Sequence, residues 1–243
     1  QKVRKSNKKT DAPAAERLAI LLDPDYGQMI LNNFTDAAYT IGVPIEKACS
    51  FPVSWLMEDS LYQHLLERPA TWFVKVLWRF HLQMNQENKN IQLSQLHKLN
   101  SVCGALKRKL MVELIIPEGY LETGTTLGEA MAEVYEAGIY PFWWKITALD
   151  SKEEWQTMAK TLDQYDPEVG VIILGKNAPI EQFQTWFRVA RSTPHTCGFA
   201  VGRSIFWEPW EQYVGGKLTI KGIADAVAER YNSVLEIWSN TQD

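Results

Sequence analysis

The chain has 243 residues, a formal net charge of −4, three cysteines and 46% hydrophobic residues. Such a chain is too apolar to be disordered and can bury one large core or two small ones. Three cysteines with no CxxC spacing exclude a full disulfide framework and a cysteine-built zinc site, and a reducing, cytoplasmic compartment fits them.

No apolar run approaches the roughly 18 residues that a membrane span needs, and no signal-peptide pattern opens the chain. Gln1 is not a usual start, which suggests a beginning inside a longer chain. The first ten residues (QKVRKSNKKT) carry five Lys or Arg and no acid, so without them the charge falls to −9. The acidic body argues against a nucleic-acid surface, and residues 1–15 read as a basic linker or tail.

Apolar, β-rich runs then alternate with amphipathic stretches. In chain order, strands are expected at Leu18–Asp23, Ala48–Val53, Phe73–Phe80, Met111–Ile116, Phe142–Thr147, Val169–Leu174 and Cys197–Val201. Runs such as VGVIILG lack polar alternation, as parallel strands covered on both faces do.

The helices between them carry their own signals. Leu96, Leu99, Val102, Cys103 and Leu106 fall at helical spacing. Thr126 with Glu129, and Ser151 with Glu154, form capping-box patterns, the second ahead of Trp155, Met158, Leu162 and Tyr165. Pro179 is expected near the first turn of a helix bearing Phe183, Trp186, Phe187 and Ala190. A last helix from about Thr219 to Trp238 should bury Ile220, Ile223, Val227, Val234 and Leu235.

Strand–helix alternation over this length allows an open doubly wound sheet or a closed barrel. No GxGxxG follows the first strand, so a dinucleotide fold is disfavoured. The seven expected strands are one short of a (β/α)8 barrel.

In α/β folds ligands bind at the carboxyl ends of parallel strands. Lys75 in FVKVLWRF, Glu113 in MVELII and Lys145 in FWWKIT are ionisable groups in the middle of apolar strands. A buried unpaired charge is expensive, so each needs a partner or a function. Desolvation favours a neutral lysine, the form that attacks a carbonyl to give a Schiff base, and a nearby carboxylate can move the protons. The bland alternative for each is a side chain that snorkels outward between helices.

Two further strand ends carry glycine at the turn: ILGKN, with Gly175, and GFAVGRSIF, with Gly202 and Arg203. Backbone N–H groups and a guanidinium at a helix start suit a phosphate. His64, His81, His97 and His195 show no metal-ligand spacing, and no metal is expected.

The segments WWKIT, GVIILG and above all CGFAVGRSIFWEPWEQY closely resemble the carboxy-terminal domain fused to bacterial 5-dehydro-2-deoxygluconokinases, a 5-dehydro-2-deoxyphosphogluconate aldolase domain of myo-inositol breakdown. More distantly the chain is similar to class I tagatose-1,6-bisphosphate aldolases. There AILLDPDYG, VKVLWRF, VELII, WWKIT and GFAVGRSIF find counterparts in the same order.

The resemblance implies an aldolase-like (β/α)8 TIM-type barrel over residues 16–243 that forms a Schiff base without a cofactor. By position it makes Lys145 the Schiff-base lysine, Glu113 the acid/base and Lys75 a second active-site lysine. Gly202, Arg203 and Gly175 become the phosphate loops, although Lys176 and Asn177 depart from the distant family there. It further implies cleavage of 5-dehydro-2-deoxygluconate 6-phosphate to dihydroxyacetone phosphate and malonate semialdehyde, and a fused or upstream sugar kinase as partner. Whether copies of the chain assemble into a homo-oligomer is left open.

In the relatives the ILLDPDYG segment is the second strand. Nothing between Gln1 and Arg17 reads as the first, so the barrel is expected to lack, or not to show, that strand. Two rival functions remain: a non-catalytic barrel scaffolding or regulating a fused kinase, and a sugar-phosphate isomerase or epimerase with Glu113 as base.

Overall fold

A computed structural model describes residues 18–33, 39–57 and 60–241. The expected basic tail, residues 1–15, lies outside them. Strands and helices alternate as β1 (Ala19–Leu21), α1 (Pro24–Asn33), β2 (Thr40–Pro44), α2 (Leu61–Leu66), β3 (Phe73–Arg79), α3 (Gln86–Ala105), β4 (Leu110–Ile115) and α4 (Gly124–Glu136). They continue as β5 (Trp143–Thr147), α5 (Lys152–Tyr165), β6 (Gly170–Leu174), α6 (Gln182–Ala190), β7 (Thr196–Ala200), α7 (Arg203–Val214) and α8 (Ile220–Asn240).

Each strand pairs in parallel with its chain neighbours, in the order β1 to β7. The sheet curls into a half-barrel, the TIM-type barrel lacking one strand that the sequence led us to expect. Its edges, among the described residues, are β1 and β7.

Alternation along each strand divides the side chains between two faces. The outward face is apolar: Val74, Val76 and Trp78 of β3, and Trp144 and Ile146 of β5, share one core cluster with the helices. From α3 that cluster takes Leu96, Leu99 and Cys103, and from α5 Trp155, Met158 and Leu162. Full burial of such a side chain stabilises by about 1.5–3 kcal/mol, which outweighs the weak intrinsic preference of any one helix. Two indoles of this face are also satisfied: Trp78 Nε1 donates to the Gln92 carbonyl at 3.3 Å and Trp144 Nε1 to Tyr135 Oη at 2.8 Å.

The other face has an aromatic floor. The rings of Phe73 and Trp143 meet edge-on, 5.5 Å apart. Two glycines make the room. A Cβ on Gly42 would lie 2.1 Å from the Phe73 ring, and one on Gly170 would lie 2.9 Å from Trp143 Cδ1.

Four sequence expectations need correction. The second strand is Thr40–Pro44, not Ala48–Val53. Cys49 has φ 60°, a left-handed value foreign to strands, and Pro52 has no N–H for a ladder. The capping box of α4 is Thr123 with Thr126, one turn before the expected Thr126 with Glu129. Pro179 lies in the turn ahead of α6, where its carbonyl accepts from the Gln182 N–H, rather than in the first turn. Ile220, expected in the core, is 74% exposed at the start of α8. Of that helix only Val234 is fully buried, because it packs on α6 and α7 beside the open edge rather than on a closed barrel.

Candidate active site

Lys75, Glu113 and Lys145 come from the three adjacent central strands β3, β4 and β5. Each is 6% exposed, and none snorkels outward. Lys145 Nζ lies 3.1 Å from Glu113 Oε1, and Glu113 Oε2 lies 2.8 Å from Lys75 Nζ. Lys75 Nζ in turn lies 2.7 Å from Oε1 of Glu46, just beyond β2. The signs alternate along this row, so four buried charges sum to zero and each faces an opposite one. That arrangement is what makes their desolvation tolerable.

The two lysines are not equivalent. Burial works against the charge of Lys75, but Glu46 and Glu113 outweigh it and hold its pKa above the ordinary lysine value. Burial also opposes the charge of Lys145. Glu113 is its one close counter-ion, Lys75 repels it, and its pKa is held below the ordinary value. Burial alone would raise the pKa of Glu113, yet Lys145 and Lys75 together hold it below the ordinary carboxylate range. The row thus holds a lysine biased toward its neutral, nucleophilic form beside an ionised carboxylate.

At the next strand ends, β6 and β7 bring Gly175, Gly202 and Arg203 to one side of the barrel mouth, with Leu174 registered against Ala200. Gly202 is the N-cap of α7 and Arg203 its first residue, with an exposed side chain. Ser204 Oγ donates to the Gly175 carbonyl at 3.4 Å. The Gly175 N–H already donates to the Ala200 carbonyl at 3.0 Å, so Gly175 supplies a close approach and not a free donor. A Cβ there would meet Ser204 Oγ at 3.2 Å and Val201 Cγ1 at 3.3 Å. Lys176 and Asn177, at φ 44° and 61°, form a tight turn closed by the Ala178 N–H on the Gly175 carbonyl.

Residues 2–242 match the family described as "Uncharacterized protein conserved in bacteria (DUF2090)". The chain belongs to that family. No curated protein matches it in sequence. Its fold is shared by Cgl0159 from Corynebacterium glutamicum, with a TM-score of 0.63 at 16% identity over 89% of this chain and 70% of that one. Fructose-bisphosphate aldolase from Plasmodium falciparum gives 0.61 at 12% identity over 87% and 71%. Fructose-bisphosphate aldolase from Slackia heliotrinireducens gives 0.58 at 10% identity over 92% and 72%. At these identities the likeness is one of fold.

Within this member of DUF2090, the one group of the charged row that sequence reasoning missed is Glu46. Its signal was present in IGVPIEK, an acid just past a short apolar run, but misplacing β2 hid it. The loop that follows folds back on it: the Leu56 N–H donates to the Ile45 carbonyl at 3.2 Å and the Lys47 N–H to the Ser54 carbonyl at 2.8 Å. The Ile45 N–H also donates to Glu46 Oε2 at 3.2 Å.

The histidines are placed structurally. His81 stacks on Tyr120, and its Nδ1 accepts from the Gln83 N–H at 3.1 Å. His195 bridges the Val169 carbonyl and Asp163 near the amino ends of the strands. Among the described residues no cluster of three or more His, Cys, Asp or Glu is placed to hold a metal, and no helix is long and apolar enough to cross a membrane.

Proposed function

We propose that this chain is a class I aldolase acting on a phosphorylated keto sugar acid. The observation that carries the proposal is Lys145 Nζ at 3.1 Å from a carboxylate shared with a second, more basic lysine. The folds it resembles, several of them aldolases by name, are consistent with it.

Neutral Lys145 attacks the substrate ketone to give a carbinolamine. Glu113 relays the proton needed for loss of water, and an iminium forms. The hydroxyl on the second carbon from the iminium then gives up its proton to the Glu113 carboxylate, and its carbon becomes an aldehyde. The breaking C–C bond leaves its electron pair in an enamine, with the iminium as sink. Protonation and hydrolysis release the second product and restore Lys145. Lys75, kept charged by Glu46 and Glu113, polarises substrate oxygens. Gly202 and Arg203, with Gly175 allowing the close approach, hold the phosphate. The chemistry needs neither metal nor organic cofactor.

The substrate we assign is 5-dehydro-2-deoxygluconate 6-phosphate, giving dihydroxyacetone phosphate and malonate semialdehyde in cytoplasmic myo-inositol breakdown. Residues 16–243 would be the catalytic unit, residues 1–15 a basic linker, and an upstream or fused sugar kinase its partner. Borohydride added with this substrate should leave a stable adduct on Lys145 by peptide mapping, and Lys145→Met should abolish both adduct and cleavage. An adduct on another residue would overturn the assignment. The edges at β1 and β7, unpaired among the described residues, favour the second reading, a non-catalytic barrel scaffolding the kinase. Cleavage assayed on this chain and on any longer natural polypeptide separates the two.

A further inference from the structure

A cavity of about 240 Å³ opens at the carboxyl ends of β4, β5 and β6, between Glu122, Thr147, Asp150, Glu154, Lys176 and Trp186. Three of its polar atoms are buried and meet no hydrogen-bond partner among the described residues: Thr147 Oγ1, Glu122 Oε1 and Trp186 Nε1. Buried polar groups are nearly always satisfied, so three orphans on one cavity point to a ligand that satisfies them. Thr147 is itself 6% exposed. It stands two residues beyond Lys145 on β5, on the same strand face and roughly 7 Å further toward the mouth.

The chemistry of the lining selects among ligands. Trp186 Nε1 can only donate, ionised Glu122 can only accept, and Thr147 can do both. The cavity holds three carboxylates, Glu122, Asp150 and Glu154, against one ammonium, Lys176. That ammonium is already engaged by Glu122 Oε2 at 3.3 Å. A second phosphate would therefore enter an acidic site and leave Glu122 Oε1 without a donor. A hydroxyl donates and accepts at once and satisfies both sides. The volume suits a fragment of a few carbons rather than a whole sugar.

Resting on the aldolase reading of Lys145, we propose that this cavity is a hydroxyl-recognition subsite. It takes the hydroxyl on the carbon that becomes the aldehyde, two carbons from the ketone, and turns away a second phosphate. The carboxylate of the keto sugar acid, two carbons further along, extends past the cavity. The substrate class is thus a keto sugar or keto sugar acid phosphorylated at one end only and hydroxylated two carbons from the ketone.

The test uses fructose 1-phosphate and its analogue lacking the hydroxyls on carbons 4 and 5, with calorimetric dissociation constants for wild type, Thr147→Val and Glu122→Gln. Wild type should prefer the hydroxylated sugar by about tenfold or more. The preference should fall toward unity in both near-isosteric variants. Equal binding of the two sugars by wild type, binding of neither, or a preference unchanged in both variants would overturn the subsite. Borohydride trapping of dihydroxyacetone phosphate, which is too short to reach the cavity, reports separately on Lys145. Trapping should be equal in all three proteins, which also shows that the variants are folded. Loss of trapping in wild type with the hydroxyl preference intact would count against the aldolase reading and not against the subsite.

Discussion

Lys75 and Lys145 are equally buried and share one carboxylate, yet their pKa values are driven in opposite directions. The difference lies in Glu46, which lies 2.7 Å from Lys75 and gives it a second counter-ion. On the aldolase reading the neutral form of Lys145 is the reactive one, so the rate of imine formation rises with pH through the pKa of that lysine. Lys75 lowers that pKa by like-charge repulsion. Replacing it with methionine should raise the pKa and shift the ascending limb of the rate of borohydride trapping to higher pH. A limb that stays put or moves to lower pH would mean that Lys75 does not tune Lys145. Thr147 and Trp186 were not legible as site residues: an unpartnered hydroxyl or indole N–H is a property of assembled neighbours and leaves no mark in the sequence.

At the scale of elements, most strands were legible as apolar runs, and the one misplaced, β2, carries both a glycine and a proline. VKVLWRF, MVELI and WWKIT show a charge inside an apolar run, which gave both the strand and its site residue. TIGVP contains a glycine and a proline, and only the three-dimensional reason for Gly42, space for the Phe73 ring, explains why it is a strand. The same logic sorts helix glycines. Gly124 opens α4 with its Cα against α5, and a Cβ there would lie 2.0 Å from the Glu154 carbonyl oxygen. Backbone cannot yield as a side-chain tip can, so Gly124→Ala should destabilise by roughly 1–3 kcal/mol, as overpacking does. Gly104, near the end of α3, has nothing within 4 Å of an added Cβ. Gly104→Ala should stabilise by about 0.5–1 kcal/mol through helix propensity. Urea midpoints of the two variants should therefore move in opposite directions, and a shared direction would refute the packing argument.

For the whole molecule, the charged row ties four consecutive strands together, since Glu46, Lys75, Glu113 and Lys145 belong to β2 through β5 or the residue pair beyond. Its contribution to global stability depends on pH with a definite sign. The folded pKa of Glu113 lies below the ordinary 4.5, so in acid the folded chain binds fewer protons at this site than the unfolded chain. The stabilisation is present above the unfolded value and lost as pH falls through the folded one. Glu113→Gln should cost about 2–3 kcal/mol at neutral pH. Lys145 can lose its proton to relieve the unpaired charge, which places the cost at the low end for a broken buried pair. Below pH 4.5 wild type progressively loses the same interaction, so the gap in urea midpoint between the two proteins should narrow on acidification while wild type remains folded. A gap that is constant or that widens in acid would show that Glu113 is not held ionised by its two lysines.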